Sequence, residues 1–224
     1  MAEESTILVA MSRPNTLASL DVPAVIATLA ERDPVLGEAI GTLGPFDLAP
    51  GYSTPPYRRL LSAIVYQQLS GKAAGTILSR VLGLYGAGRF PSPAEILATP
   101  IERLHGAGLS RAKTLAIRDL AARTLDGTVP TLAQARRLPD EELIERLIVV
   151  RGVGRWTAQM LLIGGLGRPD VLPADDLGVR KGFQRVYRTR QLPEPARIVR
   201  QGRRWAPYRS VASWYFWRAA DEGQ

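Results

Sequence analysis

Two adjacent carboxylates follow a glycine-rich turn in this chain, at a spacing that could bring them to the same site. Asp175 and Asp176 lie about twenty residues beyond residues 151–156, which read Arg-Gly-Val-Gly-Arg-Trp. The glycines permit a tight turn, and the helix that follows presents unpaired N–H groups with a partial positive charge. Such a turn can bind phosphate. A phosphate clamp, an aromatic side chain and a carboxylate in one short span indicate chemistry on a nucleic-acid base.

Both features also have purely structural interpretations. Arg155 and Thr157 add a charge and a hydroxyl donor to the turn, so that it could hold a duplex backbone without reading any base. The same glycine spacing also occurs in an ordinary tight turn between two helices. Asp175 or Asp176 could simply cap a helix that begins at Leu177, which is a common use of aspartate.

The charge of the chain favours a polyanionic partner. Lys and Arg number 29 against 21 Asp and Glu, which gives a formal net charge of +8 and a pI of about 10.3. Residues 180–209 hold ten basic side chains and one acid, whereas residues 1–60 hold seven acids and four bases. We therefore expect a basic face in the C-terminal half.

Composition argues against metal, disulfide and membrane chemistry. The chain has no cysteine and one histidine, which excludes a disulfide framework, a thiolate zinc site and a cysteine-ligated iron–sulfur cluster. We expect no cofactor, and we interpret His105 as a surface or capping residue near Gly106. No apolar run approaches the roughly 20 residues that span a bilayer, and the N-terminus does not resemble a secretory signal. We expect a soluble intracellular protein, cytoplasmic or associated with the nucleoid.

The pattern of apolar residues predicts an all-α chain without convincing strands. Residues 1–20 are predicted to be a loose N-terminal tail, and residues 21–224 a helical domain. Residues 92–95, Ser-Pro-Ala-Glu, form a predicted helix start, and Asp126 and Gly127 a predicted helix stop. Further helices are predicted at residues 22–30, 34–43, 57–69, 73–85, 140–148 and 156–163, the last ending at Gly164 and Gly165.

Four segments, in order, resemble one known family. Residues 147–161 resemble the helix-hairpin-helix of the base-excision DNA glycosylases, and residues 172–177, Leu-Pro-Ala-Asp-Asp-Leu, resemble the segment with their catalytic aspartate. Residues 63–70 and 205–217 are similar to the DNA-3-methyladenine glycosylase II branch. The resemblance covers about residues 25–220. It implies two helical lobes with a cleft between them and a helix-hairpin-helix at about residues 143–163.

The chain also departs from the family in two places. Arg151 stands where the family usually has proline before the first hairpin glycine. We also expect no additional N-terminal β-rich domain of the kind that some members carry.

The resemblance implies roles for the carboxylate and the aromatic residues. It maps the catalytic position onto Asp176, where a carboxylate would stabilise positive charge on the sugar or orient a water molecule. Trp156 and Trp217 would bind the extruded base, with Tyr66 and Trp214 as weaker candidates. Each of these aromatic residues could instead belong to the core.

The reaction type follows from the residue at position 156. Family members that also nick DNA carry a lysine where this chain has Trp156, so the resemblance implies a monofunctional hydrolase that leaves an abasic site. Lys181 is another amine near Asp176 in sequence. It lies in a basic run, where contact with phosphate is its expected use.

The resemblance further implies a DNA-binding surface. Gln68 or Leu69 would fill the gap left by the flipped base, although Leu69 could be core instead. The other implied DNA contacts are Gly152, Gly154, Arg155, Thr157, Arg180 and Lys181. The family's hairpins are also associated with a monovalent cation, which would here lie on the carbonyls of Ile148, Val150 and Val153.

The leading interpretation is a monomeric, monofunctional DNA glycosylase. It would act on double-stranded DNA with alkylated purines of the 3-methyladenine and 7-methylguanine type, and hydrolyse the N-glycosidic bond in base excision repair. The alternative is a helix-hairpin-helix protein that binds duplex DNA without catalysis. A bifunctional glycosylase–lyase would differ from both in forming a covalent adduct with DNA that borohydride traps.

Overall fold

A computed structural model of the chain describes residues 16–48, 54–86 and 89–222. The described residues contain helices and no β-strand, which confirms the all-α prediction. None of these helices is long and apolar enough to cross a membrane. The α-helices, in chain order, are α1 Val22–Arg32, α2 Pro34–Leu43, α3 Pro56–Tyr66, α4 Gly71–Gly83, α5 Pro93–Ala98, α6 Ile101–Gly106, α7 Arg111–Leu125, α8 Leu132–Ala135, α9 Asp140–Ile148, α10 Arg155–Met160, α11 Leu177–Val186, α12 Pro195–Gln201 and α13 Arg209–Asp221.

Side-chain caps fix where several of these helices begin. Ser92 accepts the amide of Glu95 at 3.3 Å while the Glu95 carboxylate accepts the Ser92 amide at 2.8 Å, so the predicted start of α5 is a capping box. The Ser70 and Ser110 hydroxyls cap α4 and α7 by accepting the amides of Ala73 and Lys113. The predicted stop after α7 is also confirmed, because that helix ends at Leu125 and is followed by Asp126.

Helix contacts divide the described chain into two groups, in agreement with the predicted lobes. One group joins α1 and α2 from the N-terminal part to α11, α12 and α13 from the C-terminal part. The other joins α3 to α4 and α7, α7 to α5 and α6, and α9 to α10. The chain therefore leaves the first lobe after α2 and returns to it at α11.

Packed structure begins before the predicted end of the N-terminal tail. Residues Leu17–Ser19 form a 3-10 turn, in which Leu17 is buried and its amide donates to the carbonyl of Gly167 at 2.7 Å. Residues 1–15 of the predicted tail lie outside the described residues.

The helix predicted to end at Gly164 and Gly165 continues through them. Residues Leu161–Gly165 extend α10 as a π-helical segment, so the two glycines do not act as a stop. A methyl group on residue 165 would lie 2.9 Å from Cδ and 3.2 Å from Nε of Arg59. The glycine is needed because α3 packs closely there, and π-helical segments often occur at functional sites.

Close packing of α11 on α13 brings the start of one helix beside the end of the other. A methyl group on Gly182 would lie 1.8 Å from the carbonyl oxygen of Phe216, so the two backbones are in direct contact. This approach places Asp176, immediately before α11, next to Trp217 in α13.

A buried carboxylate ties α2 to the C-terminal helices. Asp33 is 1% exposed, and one of its oxygens accepts hydrogen bonds from Tyr187 at 2.5 Å, Gln201 at 2.8 Å and Trp205 at 2.9 Å. Burial alone would raise the pKa of Asp33, but these hydrogen bonds and one from the Leu36 amide outweigh it and hold the pKa below its ordinary value. Asp33 thereby anchors the lobe that carries Asp176.

Candidate active site

Asp176 is the N-terminal cap of α11. Its Oδ1 accepts the amide of Val179 at 2.8 Å, and α11 begins at Leu177 as predicted. The capping alternative therefore holds for Asp176, whereas the neighbouring Asp175 is exposed. This cap uses part of the hydrogen-bonding capacity of Oδ1, and it fixes the backbone at Asp176.

Two indole N–H groups hold the same carboxylate. Trp156 donates from Nε1 to Oδ2 of Asp176 at 2.6 Å, and Trp217 donates from Nε1 to Oδ1 at 2.7 Å. Trp156 comes from α10 and Trp217 from α13, so the carboxylate joins elements of both lobes. Hydrogen bonds to a carboxylate are short and strong, and one on each oxygen fixes its orientation.

Gly178 is a residue of this site that sequence reasoning missed. A methyl group on residue 178 would lie 2.8 Å from Cδ1 of Trp217 and 3.1 Å from Oδ1 of Asp176. Only glycine leaves the indole room to reach the carboxylate. The available signal was a glycine inside the first turn of a helix, where glycine is unfavourable unless packing requires it.

The predicted aromatic residues fall into different environments. Trp156 is 48% exposed and Tyr66 is 43% exposed, so neither is core, and Trp217 is half-buried. Trp214 is buried and packs edge-on against Phe46, with ring centroids 5.1 Å apart. The substrate-binding role expected for Trp214 is therefore corrected to a core role, because α13 turns this side chain inward.

A cavity of about 460 Å³ lies beside Trp156. Its wall includes Tyr66 and Gln67 from the end of α3, and Met160 from the end of α10. Asp176 does not line the cavity and is connected to it through the Trp156 indole. The volume lies in the range of ordinary small-ligand pockets, and the lining combines polar side chains with the indole of Trp156.

The turn between α3 and α4 reaches the hairpin. Gln67 donates from Nε2 to the carbonyl of Gly152 at 2.8 Å, and Lys113 donates to the carbonyls of Val65 and Gln67 at 2.7 and 2.8 Å. Gln68 has a φ of 56°, which is rare for a residue other than glycine and marks the apex of the turn. We name residues 67–70 and 151–155 together the turn–hairpin surface.

Both wedge candidates lie on this surface. Gln68 is exposed and lines the cavity, and Leu69 is 40% exposed, so the core interpretation of Leu69 is wrong. The predicted helix through residue 69 ends instead at Tyr66, because the chain turns at Gln67 and Gln68.

Of the two hairpin glycines, only Gly152 has a left-handed backbone conformation. Gly152 has a φ of 77°, whereas Gly154 has a φ of −90° and serves as the N-cap of α10. Thr157 is 7% exposed and lines the cavity, so its expected role as a donor to DNA phosphate stays a prediction. The helical start at Arg155 turns that side chain inward two residues later.

The remaining predicted DNA contacts differ in how they are held. Arg155 pairs with Glu141 at 2.5 Å on the surface, with half or more of each side chain exposed. Arg180 donates from Nε to the carbonyl of Pro193 at 2.9 Å, and Lys181 is exposed. Lys181 is thus more accessible than Arg180.

Part of the positive charge serves the fold instead of a partner. Arg185 donates to the carbonyls of Ala219 and Ala220 at the end of α13, at 2.7 and 3.0 Å. Arg168 donates to the carbonyl of Leu138 at 2.8 Å, beyond the end of α8. Guanidinium groups satisfy the unpaired carbonyls of helix ends, so these arginines keep their charge but have fewer donors for direct contacts with a partner.

Sequence comparison identifies the superfamily of this site. A profile of the HhH-GPD superfamily of base excision DNA repair proteins matches residues 61–207. DNA-3-methyladenine glycosylase 1 of Schizosaccharomyces pombe is 40% identical over 165 residues, which are 74% of this chain and 72% of that protein. The chain belongs to the HhH-GPD superfamily.

Other HhH-GPD proteins extend the similarity to whole structures. A 3-methyladenine DNA glycosylase of Schizosaccharomyces pombe in complex with abasic DNA is 36% identical, with a TM-score of 0.75 over 87% of this chain and 95% of that chain. A DNA-3-methyladenine glycosidase of Bacillus halodurans is 32% identical, with a TM-score of 0.81 over 88% of this chain and 89% of that chain.

The unusual Arg151 of this HhH-GPD hairpin has a structural explanation. Its backbone amide donates to Oδ2 of Asp119 at 2.7 Å, and the same oxygen accepts Nε of Arg123 at 3.0 Å. A proline has no N–H and could not make this bond. The hairpin is thus fastened to α7 by a contact that requires a residue other than proline.

The hairpin carbonyls are suitable ligands for a hard cation. The carbonyl of Val150 accepts the amide of Val153 at 3.0 Å and keeps a second lone pair. The described residues contain no cluster of His, Cys, Asp or Glu that could hold a metal ion. The cation expected on the carbonyls of Ile148, Val150 and Val153 stays a prediction.

Proposed function

We propose that this protein is a monofunctional DNA glycosylase that removes alkylated purines, of the 3-methyladenine and 7-methylguanine type, in base excision repair. The names of the similar proteins support the reaction class. The observation that carries the proposal is the Asp176 carboxylate, which two indole N–H groups hold at 2.6 and 2.7 Å.

The chemistry follows from a fixed negative charge beside a sugar. When the bond between C1′ and the base nitrogen breaks, its electron pair leaves with the base and positive charge develops on the sugar ring. The Asp176 carboxylate stabilises that charge, and a water oxygen then bonds to C1′ and loses a proton. A cationic alkylated purine leaves as a neutral base, so the reaction needs no strong general acid.

The flipped base would stack on Trp156. Nearly half of this indole is exposed, and it forms one wall of the cavity. An electron-rich indole attracts a cationic purine by about 0.5–2 kcal/mol. Its N–H bond to Asp176 places the stacking surface and the carboxylate in a fixed relation, so that the base and its sugar would reach both together.

The turn–hairpin surface would hold the duplex. Gln68 or Leu69 would enter the gap left by the flipped nucleotide, and Gly152, Gly154 and Arg155 would face the phosphates. Arg180 and Lys181 of α11 would add further phosphate contacts beside this surface. Because these contacts involve phosphate, affinity for DNA should fall steeply as salt is added. We also propose that the protein acts as a monomer, and within the cell on nucleoid DNA.

The proposal is tested by release of bases from randomly methylated DNA. We expect Asp176→Asn to lower base release by at least about a hundredfold with little change in DNA affinity, since a fixed charge is lost while the cap remains. Asp175→Asn, in the exposed neighbour, is the matched control and should behave as wild type.

Two other results would contradict the proposal. A wild-type protein that binds methylated DNA and releases nothing would indicate a non-catalytic duplex-binding protein. A covalent adduct trapped with borohydride would indicate a lyase activity, which the indole at position 156 does not supply.

A further inference from the structure

Lys113 connects α7 to the turn that carries both wedge candidates. Its ammonium group donates to the carbonyl of Val65 at 2.7 Å and to the carbonyl of Gln67 at 2.8 Å. These two carbonyls lie on either side of Tyr66, the last residue of α3. One side chain therefore holds the chain just before and just after the point at which it leaves the helix.

The ammonium group suits the end of α3. The last carbonyls of a helix have no partner within the helix and carry a partial negative charge, so a cation is stabilised there. Lys113 is itself held in place, because it lies in the first turn of the 15-residue helix α7 and its amide donates to the Ser110 hydroxyl at 3.3 Å. The turn is thus attached to a long helix of the same lobe.

A second contact attaches the same turn to the hairpin. Gln67 donates from Nε2 to the carbonyl of Gly152 at 2.8 Å. The next residue, Gln68, has a φ of 56°, a conformation that a residue other than glycine keeps only where its surroundings impose it. The side chains of Gln68 and Leu69 nevertheless remain exposed. A fixed backbone therefore presents two free side chains.

We propose that Lys113 is a positioning residue for base flipping, because it holds the backbone of residues 67–69 in the shape that brings Gln68 or Leu69 into the duplex. This inference rests on the proposed glycosylase function. Lys113 does not line the cavity beside Trp156, so it would act through the turn and not on the base.

This role has a kinetic signature that a purely structural cap lacks. Extruding a base costs unpairing and unstacking, and the cost is lower where the base has no pairing partner. A wedge in the correct position stabilises the opened duplex, so its displacement should matter most where a base pair must be broken. A general weakening of the fold would instead lower the rates on paired and unpaired substrates alike.

The test compares single-turnover release of 7-methylguanine from two duplexes of the same sequence. One has cytosine opposite the lesion, and the other has an abasic-site analogue there. We expect Lys113→Met to lower the rate on the paired duplex by about tenfold and the rate on the unpaired duplex by about twofold or less. The ratio of the two rates cancels the fraction of active protein. Lys72→Met is the matched control, because Lys72 is an exposed lysine in the first turn of α4 and should leave the ratio unchanged.

Two further variants test whether Lys113 acts through the turn. Gln67→Leu removes the bond to Gly152, and we expect the ratio to fall in the same direction. The double variant Gln68→Ala, Leu69→Ala lacks both wedge candidates. Adding Lys113→Met to it should change the ratio by less than about twofold, since the effects of residues that act through one another are not additive.

The outcomes separate this role from the proposed function. An unchanged ratio in Lys113→Met, or in Gln67→Leu if Lys113→Met does not fold, would overturn the positioning role. A tenfold fall in the ratio when Lys113→Met is added to the variant without wedge candidates would also overturn it. These results would leave the proposed function intact. Failure of the wild type to release 7-methylguanine from either duplex would instead overturn the proposed function.

Discussion

The surroundings of Asp176 differ sharply from the turn–hairpin surface. Both oxygens of Asp176 accept indole N–H groups, and one also caps α11, so its position is fixed before any ligand arrives. On the turn–hairpin surface, Gln68, Leu69 and Arg155 are exposed, and Arg155 has only a surface ion pair. Reaction chemistry needs atoms placed within fractions of an ångström, whereas a phosphate backbone can be held by side chains that adjust.

We expect the largest effect from a substitution that displaces a hydrogen-bond donor of the Asp176 carboxylate and leaves Asp176 itself unchanged. In Gly178→Ala the new methyl group would displace Trp217 from Asp176. A misplacement of about 1 Å can lower a rate a hundredfold, so we expect single-turnover base release to fall by about that factor while DNA affinity stays unchanged. Gly83→Ala in α4, where no atom lies within 4 Å of the new methyl group, is the control. Equal base release in Gly178→Ala and wild type would show that the indole contact does not position the carboxylate.

A smaller effect, on stability, is expected at the buried carboxylate that anchors the same lobe. A carboxyl group whose pKa is lower in the folded state stabilises the fold above its unfolded pKa, and this contribution is lost as pH falls through the folded pKa. We expect the free energy of unfolding to decrease below about pH 4. Asp33→Asn should be less stable by about 1–3 kcal/mol at pH 7 and should lose part of this acid dependence, because an amide N–H₂ replaces an acceptor.

Urea unfolding between pH 3 and pH 7 measures this prediction. Asp21→Asn, at the exposed cap of α1, is the control and should keep the acid dependence of the wild type. If the free energy of unfolding of Asp33→Asn decreased at low pH as much as that of the wild type, carboxylates other than Asp33 would be responsible for the decrease.

The smallest effect is expected on the turn–hairpin surface. Glu141→Gln would release Arg155 and remove a negative charge from the side that we propose faces DNA. Exposed ion pairs contribute at most about 1 kcal/mol, so we expect DNA affinity to rise by about twofold at low salt and the difference to vanish at high salt. Binding titrations at several salt concentrations measure this. A rise in DNA affinity of tenfold or more would contradict this expectation. It would mean that the ion pair fixes Arg155 as firmly as the indole groups fix Asp176.

Local signals in the sequence were sufficient for most of the fold. Caps such as Ser92 and apolar spacing in α3 predicted where helices begin and which face they bury. The exceptions depend on distant neighbours. Gly164 and Gly165 have the appearance of a helix stop, and only the packing of Arg59 against them explains why the helix continues.

The candidate site was predictable where a motif fixes a position, and less so where packing decides. The motif gave Asp176, Trp156 and Trp217, which the structure brings together. The motif does not predict that Thr157 and Trp214 are buried. Which face of a helix points inward depends on how the helix packs against the rest of the core.

The central claim is that Asp176 lies against the sugar of a nucleotide flipped onto an indole. A crystal structure with duplex DNA that contains a cationic pyrrolidine in place of the target sugar tests it most directly. We predict a carboxylate oxygen of Asp176 within about 3–3.5 Å of the ring nitrogen, with both indole N–H bonds retained. A pyrrolidine that remains within the stacked duplex, or that binds away from Asp176, would contradict the account.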